Sequence, residues 1–251
     1  MKVKVYTGMT LEKREVLEII PGAFVVGPVQ RDDVLYDIDS RVNVVVIIDG
    51  KFQQSLAVSP GEIMDALRCG LKVYGSSSMG ALRASELYPY GMVGCGEIFE
   101  LIRDTPYFRD DFLGQSFHED GTKNISVPYI NFHFALKKLV QSAQISQEDG
   151  EFLDNSYRNL HFTERDLINL KLLIKRDHSR CETLCSIAEM AMRTFNQKRD
   201  DAINLLNEVR DHLAWVQARN VQIAKAQRNI KLTRIFDASP CRRLTKRSSV
   251  A

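Results

Sequence analysis

The chain contains no apolar run near the roughly 18 residues that a membrane-crossing helix requires. Its first 20 residues carry charges throughout and lack the apolar core of a signal peptide, so a cytoplasmic protein is expected. Cysteine is scarce: five residues, an odd number, with no CxxC pair and no regular spacing. A disulfide framework is therefore not expected, and the thiols read as reduced. Cys181 and Cys185 stand one helical turn apart but lack two further ligands, which argues against zinc. No internal repeat and no long low-complexity segment is present. What remains is an ordinary globular composition, 44% hydrophobic and 26% charged, over 251 residues. That length suits one large domain, or one domain with an appendage.

Charge is unevenly placed. Residues 151–251 hold 19 Lys and Arg against 12 Asp and Glu, whereas residues 1–150 hold 15 against 20. From Ala214 to Ala251 there are nine basic residues and one acidic one. An acidic body with a basic end suits an electrostatic partner, whether nucleic acid, acidic protein or acidic peptide. It equally suits a solvated helix face and a solubilising tail. Nucleic acid has no fold signature in its favour.

Residues 1–90 alternate strand and helix signals. Val3–Tyr6 is β-prone, and Thr10 can cap a helix over Leu11–Ile20. Ala23–Val26 is a second apolar segment, and Asp32 and Asp33 open a short helix to about Ser40. Val42–Ile48 is β-branched almost throughout and apolar without alternation, which predicts a strand buried on both faces. Pro60–Cys69 reads as a helix stopped by Gly70, Leu71–Tyr74 as the next strand, and Met79–Leu87 as the next helix. This order predicts a Rossmann-like or flavodoxin-like parallel sheet with flanking helices and ligands beyond the carboxyl ends of its strands. Those ends carry Thr7-Gly8, Gly27-Pro28, Asp49-Gly50 and Gly75-Ser76-Ser77-Ser78. Beyond about Ile145 the pattern is helical. Ser146 with Asp149 and Thr163 with Asp166 look like capped helix starts, and Ala202 to Phe236 reads as one long helix. The expected divisions are an α/β core over 1–144, a helical domain over 145–236, and a flexible basic tail over 237–251.

The turn after the fourth strand is the least ordinary stretch. A strand that ends in glycine and runs into a helix leaves backbone amides at Ser78, Met79 and Gly80, which with the helix dipole favour an anion. A nucleophile elbow needs GxSxG, but Met79 stands where the second glycine belongs. A phosphate loop needs GxxxxGK[ST]; Gly75 and Gly80 have the spacing, while Ala81 and Leu82 replace the lysine and hydroxyl residue. A plain cap and turn accounts for serine here without further chemistry. Arg83 and Glu86 can pair on the helix surface. Arg83 lies only one turn from the helix start, where the dipole disfavours a cation, so an anion near it is expected. Asp49 can orient Arg83, a serine or a substrate amine, or simply cap its own turn.

These residues resemble the TfuA-like family. The resemblance rests on VVVIIDGKF (Val44–Phe52), GEIMDALRCG (Gly61–Gly70), VYGSSSMGALRASEL (Val73–Leu87) and YGMVGCGEIFE (Tyr90–Glu100), with weaker likeness at Asp110-Asp111, His118 and Ile125–Leu139. It spans roughly residues 1–140. It implies an accessory protein of YcaO enzymes, which use ATP to activate a peptide amide so that sulfur replaces oxygen in the backbone. A role in modifying ribosomally made peptides follows, with a sulfur-carrier protein or other sulfide source and a precursor peptide as further partners. ATP and magnesium are expected on the YcaO partner, and no cofactor or metal on this chain.

The resemblance carries over Asp49, Gly50, Glu62, Ser78, Met79, Gly80, Arg83, Glu86, Gly91, Gly94 and Gly96. The expected catalytic set is Ser77, Ser78, Asp49, Arg83 and His118; Gly50, Met79, Gly80, Glu62 and Glu86 would bind substrate or anion. Release of sulfide from a thiocarboxylate is acyl chemistry and suits an oxyanion-binding turn. His118 has the unperturbed pKa of a general base but also reads as a surface loop residue. This sequence departs from the family in three places: Thr7-Gly8-Met9-Thr10 replaces a GPS-like turn, Pro60 replaces a histidine, and His133 replaces an arginine. Cys95 suggests a persulfide carrier but fits better as a small buried hydrophobe. Two other readings stay open: a non-catalytic docking or activating subunit of the YcaO enzyme, and a serine hydrolase of the α/β type. A homo-oligomer is also open.

Overall fold

The computed structural model of the chain describes residues 1–52, 56–116, 126–177 and 180–237, with no side-chain description at residues 176, 177 and 226–237. Five strands form one parallel sheet: β1 (Val3–Tyr6), β2 (Phe24–Val26), β3 (Val44–Ile47), β4 (Lys72–Gly75) and β5 (Val93–Gly94). Their spatial order is β2-β1-β3-β4-β5. The helices α1 (Lys13–Ile19), α2 (Asp33–Asp39), α3 (Pro60–Arg68), α4 (Met79–Leu87) and α5 (Glu97–Asp104) alternate with them. This is a doubly wound, flavodoxin-like order; the parallel sheet with flanking helices was expected from the sequence, and the strand order was not fixed by it. All four residues of β3 are buried, which is why its β-branched run shows no alternation.

The register builds a continuous row along the carboxyl rim. Val26 pairs with Tyr6, Tyr6 with Ile47, Ile47 with Gly75, and Gly75 with Gly94. The chain direction of the winding reverses between β1 and β3. A crevice beyond those two strand ends is the usual ligand position in such sheets. The serine turn follows the next strand along the row.

Five more helices complete the described chain: α6 (Tyr129–Gln141), α7 (Gln147–Arg158), α8 (Leu167–Asp177), α9 (Cys181–Thr194) and α10 (Gln197–Asp237). The sheet has its own core, which includes Ile47, Ile63, Val73, Met79, Ile98 and Ile130. A second core joins Phe132, Leu136, Leu153, Tyr157, Leu170, Ile174 and Leu184 from α6 to α9. Helix α6 serves both, with Ile130 and Phe134 in the sheet core and Phe132 and Leu136 in the helical one. The chain divides into two compact units, Met1–Glu208 and Val209–Ala251. In the second, Trp215, Val221 and Ile223 are exposed, and the Arg219 guanidinium lies 5.2 Å from the Trp215 ring centre.

Several helix starts differ from expectation. Thr10 does not cap α1, which begins three residues later; the Glu12 amide there donates to Glu15 Oε2 at 2.8 Å. Ser146 caps α7 as expected, receiving the Asp149 amide at 3.1 Å. Thr163 lies in a short 3-10 turn, and Asp166 takes over as acceptor for the Asn169 amide at 2.8 Å. Helix α10 begins at Gln197, earlier than the expected Ala202, because Asn196 accepts the Arg199 amide at 3.2 Å.

Candidate functional site

At the rim the chain leaves β4 through Gly75 and turns into α4. Two close approaches shape this turn. A Cβ on Gly80 would overlap the Ile47 carbonyl oxygen, and one on Gly75 would overlap the Gly80 carbonyl. Only glycine lets α4 start this close to the sheet. Ser76 and Ser77 are fully buried and Ser78 is 4% exposed. Ser77 has φ +69°, in the left-handed region, where a residue with a Cβ is strained by about 1–3 kcal/mol. Its position, two residues after Gly75, is that of the nucleophile in an elbow. The Oγ atoms of Ser76 and Ser77 are both buried without a hydrogen-bond partner. Such a hydroxyl costs about 1–3 kcal/mol each. Strain and unmet polar groups together make this turn the candidate site.

The amide donors are partly committed. Ser78 N donates to Ile48 O at 3.3 Å and to Ser76 O at 2.9 Å, and Gly80 N donates to Ile48 O at 3.3 Å. Those two amides tie the turn to β3 and are not free for an oxyanion, contrary to the expectation from sequence. The amides of Ser77 and Met79 donate to no atom among the described residues. The Met79 side chain fills the space beside Gly50, where a Cβ would overlap it. Met79 thereby acts as a packing residue of the sheet core.

Asp49 stands at the β3 end of the crevice. Its Oδ2 accepts Gly8 N at 2.7 Å and Thr10 N at 3.1 Å, and its Oδ1 accepts Thr10 Oγ1 at 2.7 Å. The carboxylate thus holds the loop after β1 and does not orient Arg83. Three hydrogen bonds explain how it stays 9% exposed. Arg83 is spoken for as well. Its Nε donates to Val58 O at 2.8 Å, and its Nη1 reaches both Glu86 oxygens at 2.9 Å. The surface pair is present, and the Val58 carbonyl explains why a cation sits near the helix start. Glu62 accepts Ser59 N and Asp32 N, the latter at 2.8 Å, so it joins the starts of α2 and α3. His118 lies outside the described residues. His133 bonds Asp154 Oδ1 at 2.9 Å and lies 3.4 Å from the Tyr129 hydroxyl.

The remaining sequence candidates are quiet. Cys95 is buried, and burial followed by a hydrogen bond to Glu208 pushes its thiol up to about 12. It stays protonated at neutral pH, which argues against a thiolate sulfur carrier. No group of three metal-binding side chains occurs among the described residues. No helix there is long and apolar enough to cross a membrane. A cavity of about 310 Å³ lined by Met64, Leu67, Arg68 and Tyr90 shares no residue with the rim site.

One buried residue escaped the sequence reading. Lys198, in the first turn of α10, is buried at 6% exposure and donates from Nζ to Leu113 O at 2.7 Å. Burial pushes its ammonium down to about 8, and the charge of Asp49 partly opposes that. Its signal was available: a lysine at the start of a helix stands against the dipole, just as Arg83 does. Only packing could say that the side chain turns inward.

Residues 49–166 match the family model described as TfuA-like protein. The matched span starts at the rim aspartate and runs past α7, beyond the end at about residue 140 read from the motifs. No curated protein matches the chain.

Proposed function

The chain belongs, through residues 49–166, to the TfuA-like family, and on that premise we propose that it supplies sulfur to a YcaO enzyme by acyl cleavage of a thiocarboxylated carrier protein. At the family level the role is that of a YcaO-associated accessory to thioamidation. The observation that carries the finer reading is the strained Ser77 with its buried, unpartnered hydroxyl beside that of Ser76. A fold that only needed a turn here would gain by glycine at that φ and by partners for both hydroxyls. Hydroxyls and free amides at a water-poor rim suit the developing oxyanion of acyl transfer. The YcaO enzyme would then use the released sulfide, with ATP and magnesium on its own chain, to modify a precursor peptide.

The test is direct. The purified protein is incubated with a thiocarboxylated sulfur-carrier protein and sulfide is measured over time. Sulfide release that is lost in Ser77→Ala supports the reading. Full release in both Ser77→Ala and Ser78→Ala, or none from the native chain, would sink it.

A docking role is the second reading. It is favoured by the exposed Trp215, Val221 and Ile223 on a helix that also carries Arg210, Arg219 and Lys225. Truncation after Glu208 separates the two readings. Loss of YcaO binding with intact sulfide release would assign docking to the end of α10 and cleavage to the rim.

A further inference from the structure

We propose that the far part of α10 is one strand of a parallel, two-stranded coiled coil formed with a second copy of this chain. The first observation is spacing. From Val209, intervals of four and three residues alternate through Leu213, Val216, Asn220 and Ile223. Gln227 and Ile230 continue the same intervals in sequence. An alternating interval of this kind has the seven-residue period of a supercoiled seam, whereas a straight helix on a globular core follows a period of 3.6. Residues 209–230 cover three such repeats, the least length that marks a coiled coil. The backbone is one helix throughout, Gln197–Asp237. Arg234 comes next in the series and would meet its own counterpart, so the seam ends before it.

The second observation is exposure. Val209 is 1% exposed, Leu213 and Val216 are half-buried, and Ile223 is 47% exposed. The seam is therefore open along the part that a second strand would cover. The helix's own surface pairs are weak ones: Arg210 with the adjacent Asp211, and Arg219 over the Trp215 ring at 5.2 Å. Helices of this kind draw most of their stability from the packing of an apolar face.

The third observation, Asn220, selects the occupant. In a parallel pair in register, each seam residue meets its own counterpart. Asn220 then meets the same residue of the second copy, and amide donor faces amide carbonyl. In an antiparallel pair it would face Val216 or Ile223, and against an unrelated apolar helix another aliphatic chain, with its donors unpaired. Leucine at 213 with β-branched residues at 216 and 223 would alone admit more than two strands; an asparagine in the leucine row fixes register and strand number. Charge agrees. The flanking positions that face each other across a parallel pair are His212 with Gln217, and Arg219 with Ala224. This basic helix thus brings no two cations opposite one another at those positions. Trp215 and Val221 lie off the seam, so they stay open to a different protein.

The test is sedimentation of the full chain from about 1 to 100 μM, a range set by the micromolar affinity of a short, partly polar seam. The expected result is a doubling of the 28.6 kDa mass. Ile223→Lys and Val221→Lys form a matched pair, since both side chains are exposed, at 47% and 54%, and neither change should unfold the protein. Ile223→Lys should weaken association about 10²-fold, and Val221→Lys should leave it unchanged. Asn220→Leu should tighten association and admit larger assemblies. Under mild oxidation Ile223→Cys should link to its own counterpart, read by peptide mass analysis, and Val221→Cys should not. A monomer at every concentration overturns the proposal. So does a dimer that survives Ile223→Lys, one equally weakened by both lysine changes, or one indifferent to Asn220→Leu. A dimer without the link between the two positions 223 overturns the parallel register.

Discussion

Asp201 Oδ2 accepts the Ile98 amide at 2.8 Å, joining α10 to the start of α5 across 103 residues of chain. Gly96, the residue before α5, has no side chain with which to cap it, and a Cβ there would overlap Asp201. A distant carboxylate caps the helix instead and in doing so ties the first turns of α10 to α5. Asp201→Ala should cost about 1–3 kcal/mol, read from the urea midpoint. Burial raises this carboxyl above its ordinary 3.8. The folded state therefore holds the proton more tightly than the unfolded one. Stability from this group falls as pH rises from 3.8 to the raised value, and Asp201→Asn should abolish that slope.

Asp49 makes a second testable clamp. Its three hydrogen bonds hold the loop from Gly8 to Thr10 against β3. Asp49→Ala should release the loop and cost about 2–4 kcal/mol, since bonds to a charged acceptor are the stronger kind. Hydrogen exchange gives the sharper readout. The Gly8 and Thr10 amides should lose protection while those of β4 keep theirs. Uniform loss across the sheet would mean that Asp49 holds the fold and not the loop.

The backbone of the serine turn predicts two opposite effects. Gly80→Ala drives a methyl into the Ile47 carbonyl and should cost more than about 2 kcal/mol or prevent folding. Ser77→Gly removes a Cβ from a left-handed position and an unpartnered buried hydroxyl. It should stabilise by about 1–2 kcal/mol while abolishing sulfide release. A stabilised and still active Ser77→Gly protein would show that the strain has no chemical purpose.

Much of this is legible in the sequence. Helix α4 falls on the Met79–Leu87 bounds that its glycine and serine flanks suggested, and β3 sits within its apolar run. Both signals are local. Asp49 and the serine turn were placed on one rim because parallel topology puts strand ends together. The partners of those residues were not legible. Thr10 looks like a cap in sequence, yet it binds a carboxylate 39 positions away. Arg83 looks like an anion ligand, yet a carbonyl 25 positions before it takes its Nε. Lys198 is one basic residue among many until packing buries it. Side-chain partners set by long-range packing leave no periodicity to read.

Arg83 is expected to act on stability and not on turnover. With Nε on Val58 O and Nη1 on Glu86, its role is to hold α4 to the segment before α3. Arg83→Lys should lose the fork geometry and cost about 1 kcal/mol. Sulfide release should stay within about twofold of the native rate at saturating carrier, because no transition-state contact is lost. A large fall in turnover with an unchanged melting temperature would return Arg83 to the chemistry.

Lys198 is a buried cation whose cost to the fold can be measured. Its ammonium is pushed down to about 8 from an ordinary 10.5. Between those values the unfolded chain holds the proton and the folded chain does not, so stability rises with pH across that window. The shift corresponds to about 3 kcal/mol withheld from the fold at neutral pH. Lys198→Met removes that penalty but leaves Leu113 O without its donor. The net expectation at pH 7 is a gain of about 1–3 kcal/mol, with the slope between pH 8 and 10.5 flattened. Urea midpoints of the two proteins at pH 7, 9 and 10.5 measure both effects. A Lys198→Met protein less stable than the native one at pH 7 would make the lysine a structural anchor, held in place for its bond to Leu113. A more stable protein would show that the fold carries the desolvation cost of the lysine without recovering it through that bond.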